Sequence, residues 1–107
     1  MRLEIEPSMQ ERSLKAFLDL AILLALAEQP LTGYKISRIF VKKFGVLISP
    51  SMIYANLKTL EKKGWIKCNR KQDGRTYSLT EQGRKIVENM TNITQEIRSS
   101  IIIMLGN

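Results

Sequence analysis

Residues 49–63 read SPSMIYANLKTLEKK, and Gly64 follows. The leading half is small and uncharged, whereas the trailing half carries Lys58, Glu61, Lys62 and Lys63. Ile53, Leu57 and Leu60 fall at spacings of four and three, which puts them on one face of a helix. Ser49 suits the N-cap and Pro50 the first helical position, where its missing N–H removes no internal bond. Gly64 supplies the break at the far end. With the three apolar residues inward, Ser51, Met52, Ala55, Lys58 and Thr59 point outward or obliquely. Such a slim leading end fits a groove about 12 Å wide, the width of the DNA major groove. Met52 and Asn56 can reach base edges there, asparagine pairing with adenine and methionine or alanine touching a thymine methyl. Tyr54 can pack its ring while its hydroxyl reaches a phosphate. The bland alternatives stand beside these: Asn56 simply solvated or on a phosphate, Tyr54 a residue at the rim of the core.

Charge placement supports a polyanionic partner. The chain carries +7 overall, but residues 31–75 hold eleven Lys and Arg against two acids, a net +9, leaving −2 elsewhere. A generic solvated surface mixes the signs more evenly. Phosphate contacts would release condensed cations, so binding should weaken steeply with salt. Arg70, Lys71 and Arg75 flank a Gln72–Asp73–Gly74 turn, placed to follow a backbone or enter a minor groove. The sequence has no histidine and one cysteine, Cys68. Imidazole chemistry and an internal disulfide are therefore absent, and neither clustered carboxylates nor a phosphate-cradling glycine loop is present. An enzyme is not expected, nor a cofactor or metal.

The elements needed to position these residues can be read along the chain. Residues 1–12 are expected as a flexible arm. From Ser13 to Glu28 an apolar pattern at helical spacing is free of Pro and Gly, and near residues 20–27 it covers more than one side. A helix of that kind needs cover on more than one side. Thr32 caps a second helix that runs to about Phe44, with Ile36, Ile39, Phe40 and Phe44 inward, and Gly45 ends it. The helix at 49–63 follows, then strand-like Trp65–Ile66 and Thr76–Tyr77 around a turn at 72–75, which reads as a hairpin. Thr80 caps a last helix whose Ile86, Met90, Ile93, Ile97, Ile101 and Met104 form one stripe. The expected fold is mainly α with a small β-hairpin, a winged helix-turn-helix in the order helix-helix-helix-hairpin-long helix. Its DNA-binding domain would span 13–79 and its dimerisation helix 80–107.

Three blocks, LAILLALAEQPLTGYKI, SPSMIYANLKTLEKKGWI and DGRTYSLTEQG, occur in an order that resembles the PadR-like family of winged helix-turn-helix transcriptional regulators. The resemblance covers roughly residues 13–90 and implies a homodimer on double-stranded DNA, often a repressor, with the third helix in the major groove and the hairpin as the wing. Larger relatives carry an extra helical domain after the last helix, and the departure of this sequence from that pattern fits a short form, for which no large C-terminal effector domain is expected. Carried over, Thr32–Gly33–Tyr34 opens the second helix, with Tyr34 and Lys35 near DNA. Ser49, Tyr54 and Lys58 fall in the recognition element, and Gly74, Arg75 and Tyr77 define the wing. The family usually has a proline after the helix tyrosine, where this chain has Ala55.

The resemblance also implies a dimer built by the first and last helices: Leu14, Phe17, Leu18 and Ile22 with Ile86, Met90, Ile93, Ile97, Ile101 and Met104. Ile101–Leu105 would otherwise form an exposed apolar cluster. Two symmetry-related heads would meet an inverted repeat. A small apolar effector, if one acts, has its natural site at the dimer interface. The other reading is a non-specific architectural DNA-binding protein, or a winged-helix adaptor that docks another protein. No run is long enough to span a bilayer, and the eight residues of LAILLALA fall well short. The expected location is the cytoplasm, at the nucleoid.

Overall fold

The computed structural model describes residues 7–45, 47–72 and 74–106. The first helix, α1, spans Pro7–Glu28. Residues 7–12 are therefore helical rather than part of a loose arm; a proline is well tolerated in a first turn. The remainder of the expected arm, residues 1–6, lies outside the described residues. After Pro30 the chain makes a two-residue strand, β1 (Leu31–Thr32), then α2 (Gly33–Phe44) and α3 (Pro50–Lys62). The hairpin follows as β2 (Ile66–Lys71) and β3 (Gly74–Leu79), and α4 (Glu81–Leu105) completes the order. The winged helix-turn-helix expected from the sequence is present.

Local chemistry explains where the helices begin. The Thr32 and Ser49 hydroxyls accept from the N–H groups of Lys35 at 3.1 Å and Met52 at 3.3 Å. Each satisfies a donor that has no partner inside its helix. Gly45 and Gly64 take the positive-φ backbone expected beyond the helix ends. β1 was not visible in the sequence. It exists because the backbone of Leu31 and Thr32 pairs antiparallel with Tyr77 and Thr76, giving a sheet in the order β1-β3-β2. Two residues carry no period of their own; a distant strand recruits them.

Core residues come from every layer: Leu18, Ile22, Leu23 and Leu26 of α1, Ile36 and Phe40 of α2, Ile53, Leu57 and Leu60 of α3, and Ile66, Tyr77 and Leu79 of the hairpin. The apolar girth of α1 is covered on one side only. Leu14, Phe17, Leu20 and Leu24 stay between 37% and 45% exposed. Leu18 and Ile22, expected at a dimer interface, are instead sealed in the chain's own core at 1% and 0% exposure. Phe44 is not fully inward either. Its ring meets Phe17 edge-on at 5.3 Å between centroids and remains half exposed. Asp19, beside the core on α1, has a carboxyl oxygen with no hydrogen-bond partner among the described residues. Burial pushes its pKa up, and Lys63 and Lys15 pull it part of the way back.

Thr80 fixes the root of α4. Its hydroxyl donates to the Gly64 carbonyl at 2.6 Å and accepts from the Gly83 N–H at 3.1 Å, while its own N–H donates to the Trp65 carbonyl at 3.1 Å. Gly83 is buried so closely that a Cβ would overlap the Trp65 carbonyl oxygen. Both motif residues of Leu79-Thr80-x-x-Gly83 are thus needed to seat α4 against the α3–β2 junction. Beyond that root, Ile86, Val87 and Met90 pack on the core, and from Thr91 onward every described residue is exposed. The projecting half of α4 raises the Cα radius of gyration to 16.0 Å. A compact chain of this length would have about 13 Å.

Candidate nucleic-acid interface

The outward side of α3 begins at its cap. Ser51, Ala55, Lys58 and Lys62 are exposed and recur at helical spacing, with Met52 beside them at 40% exposure. Ser51 Oγ lies 3.4 Å from Ser49 Oγ in a hydrogen bond, and the Thr59 hydroxyl donates to the Ala55 carbonyl at 3.1 Å. The leading end is slim, as its residue types imply.

Tyr54 leaves α3 sideways and crosses the start of α2. A Cβ at Gly33 would come within 2.9 Å of Tyr54 Cε1 and 3.0 Å of its hydroxyl oxygen. This close approach gives the glycine of the Gly33–Tyr34 pair its role: it leaves room for the Tyr54 ring. The ring, Tyr34, Ser37, Pro50 and Ile53 border a small recess of about 220 Å³. Tyr54 and Tyr34 remain 48% and 69% exposed at the α2–α3 junction.

Asn56 is a correction. The sequence places it among the base-contacting residues, but only 4% of it is exposed and its side-chain nitrogen is buried. That nitrogen has no hydrogen-bond partner among the described residues. Three residues beyond Ile53 and one before Leu57, it turns with the core stripe. The signal was available: helical spacing sets position 56 nearer the inward face than the outward one, and residue type alone argued for solvent.

The wing is longer and tighter than the sequence suggests. β2 and β3 pair from Ile66↔Leu79 to Lys71↔Gly74, so Gly74 and Arg75 belong to a strand, not to the turn. Asp73, expected at the tip, lies outside the described residues. Arg70 stands directly opposite Arg75, and both are exposed. Like charges facing each other across a ladder are unfavourable on their own. A polyanion between or beside them removes that repulsion. Tyr77, expected to help define the wing, lies on β3 with its side chain in the core, 4% exposed, and burial pushes its phenol pKa up.

All eleven lysines and arginines of residues 31–75 are exposed. Lys35, Arg38 and Lys42 recur along α2 at helical spacing, Lys58 and Lys62 along α3, and Lys67, Arg70, Lys71 and Arg75 on the wing. Trp65, expected with Ile66 in a strand, lies one residue before β2; the Lys63 ammonium lies 4.8 Å from its ring centroid, a cation–π contact. No group of three or more acidic, Cys or His side chains that would hold a metal occurs among the described residues. No helix there is long and apolar enough to cross a membrane.

A family model described as the transcriptional regulator PadR-like family matches residues 22–89, well over half of the chain. The chain belongs to that family. Members are DNA-binding transcriptional regulators rather than enzymes, which agrees with the fold and the exposed basic surface. Among solved structures, a transcriptional regulator from Clostridium thermocellum is 25% identical, with 97% of this chain and 100% of that one covered and a TM-score of 0.67. A PadR family transcription regulator from Clostridium difficile is also 25% identical, covering 84% and 99%, with a TM-score of 0.66. Bacillus subtilis PadR in complex with operator DNA is 29% identical over 70% of this chain and 47% of that one, with a TM-score of 0.64. No match was found among curated proteins.

Proposed function

We propose that the chain acts as a homodimer that represses transcription by occupying an inverted-repeat operator, with α3 in the major groove and the wing along the backbone or in the minor groove. The observation that carries this reading is the exposure of every basic side chain between residues 31 and 75, around a helix whose leading end is free of bulk and charge. The Bacillus subtilis relative solved on operator DNA supports it. Ser49, Ser51, Met52, Tyr54, Ala55 and Lys58 form the recognition element. Tyr34, Lys35, Arg70, Lys71 and Arg75 contact the phosphates.

The dimer rests on a second surface. Leu14 and Phe17 of α1 are exposed, as are Ile93, Ile97, Ile101 and Met104 of α4, the last at 83%. Exposed apolar area of this kind is costly in water and is removed when a second copy covers it. Ile86 and Met90 are already partly buried on their own core and contribute only at the edge. An apolar groove of about 370 Å³ between α1 and α2, lined by Phe17, Leu20, Leu24 and Phe44 among others, adjoins this surface. It offers space for a small apolar effector that would alter the angle between the heads. The cytoplasm, at the nucleoid, is the matching location.

Selection of bound sequences from random duplexes, followed by footprinting, tests the reading. A discrete protected inverted repeat is expected. Uniform weak protection would mean non-specific coating, and no duplex binding at all would point to an adaptor for another protein.

A further inference from the structure

The side-chain chemistry left free on α3 restricts how it can read bases, given the DNA-binding reading above. A helix in the major groove usually discriminates through bidentate donors and acceptors, above all Arg with guanine and Asn or Gln with adenine. α3 contains no arginine or glutamine, and its one amide, Asn56, is 4% exposed. The α3 hydroxyls, though Ser51 is exposed, are already engaged in hydrogen bonds on the helix itself. Ser49 Oγ takes the Met52 N–H and shares a hydrogen bond with Ser51 Oγ, and the Thr59 hydroxyl donates to the Ala55 carbonyl. Tyr54 lies across Gly33. What the outward side offers without a hydrogen bond of its own is the Met52 thioether chain, the Ala55 methyl and, two and three turns from Ser51, the Lys58 and Lys62 ammonium groups. Met52 and Ala55 are three residues apart, so their side chains are neighbours on the helix surface.

The major groove offers one apolar feature, the C5 methyl of thymine. We propose that this protein reads its operator chiefly through thymine methyl groups, held by Met52 and Ala55, rather than through hydrogen bonds to base edges. Lys58 adds a single point donor for a guanine or a phosphate. The half-site is accordingly specified by one or two thymines at adjacent or next-adjacent pairs, and its hydrogen-bonding pattern matters less than its methyl pattern.

The test uses the unaltered protein and the duplex recovered by selection. Each thymine is replaced in turn by deoxyuridine, which keeps every hydrogen-bonding group and removes only the methyl. One or two positions per half-site should bind about fourfold more weakly, the factor expected for one methyl-sized apolar contact. Met52→Ala should then bind the thymine and uracil duplexes equally at its position, with unchanged salt dependence and an unchanged melting temperature. Uracil tolerated at every thymine, while base-pair changes in the half-site still cost tenfold or more, would overturn the proposal and leave the DNA-binding reading standing. Failure to retain any duplex in a salt-sensitive way would bring down both.

Discussion

Outside its buried stripe, α3 turns Ser51, Met52, Ala55, Lys58 and Lys62 to solvent; α4 instead carries the stripe begun by partly buried Ile86 and Met90 on past the head as exposed Ile93, Ile97, Ile101 and Met104. The two helices share apolar residues at spacings of three and four, and differ in what they leave uncovered. The α3 face is slim at one end and cationic at the other, so a hydrated polyanion can approach it without clash. The α4 face is aliphatic and grows more exposed toward its end, from 48% at Ile101 to 82% at Leu105. Water is a poor solvent for that face and a good one for the first. On the function proposed above, the difference teaches that a small winged head separates its partners by chemistry: nucleic acid would take the α2–α3–wing surface and a second copy the α1–α4 surface.

The strongest way to break this division is to charge the aliphatic face. Ile97→Glu with Ile101→Glu touches no core residue, so the head should fold. Light scattering should report a shift from dimer to single chains, and operator affinity should fall by about a hundredfold as the two heads lose their tether. A retained dimer would move the interface off α4. On the other surface, Arg75→Ala should weaken binding to all duplexes alike by roughly fivefold to tenfold and lower the salt slope by about one. Titration at several salt concentrations measures this. Loss of discrimination with an unchanged slope would make Arg75 a base reader.

The sequence made much of this division legible. The caps at Thr32, Ser49 and Thr80, the inward Ile53, Leu57 and Leu60, and the basic block from 31 to 75 follow from local rules and periodicity. What local rules missed depends on tertiary packing. β1 needs β3 to exist, and the placement of Leu18 and Ile22 depends on which side of an all-round apolar helix the head occupies. Asn56 was misplaced because a polar side chain near the boundary of the stripe was assigned to water by type. The start of α1 at Pro7 was missed because the sequence of residues 7–12 shows little apolar periodicity.

Two smaller effects sharpen the boundary between core and interface. Asn56→Leu keeps the branching and removes an unpaired buried donor, a change worth about 1 kcal/mol. The melting temperature should rise by roughly 4 °C, while the ratio of target to random DNA affinity stays constant; a collapse of that ratio would restore Asn56 to base contact. Asp19→Asn should give the smallest gain. Because burial raises the Asp19 pKa in the folded chain, the native state holds that proton more tightly than the unfolded one. Stability is therefore lost as pH rises through the raised value. The Asn variant should be more stable near neutrality, with the advantage fading in acid, as thermal melts across pH would show.

The most direct test of the central claim is the mass of the protein with its selected duplex, measured by analytical ultracentrifugation at two salt concentrations. Two chains per operator, dissociating steeply as salt rises, is the predicted result. A single chain at micromolar concentration, with DNA retention indifferent to salt, would contradict the account.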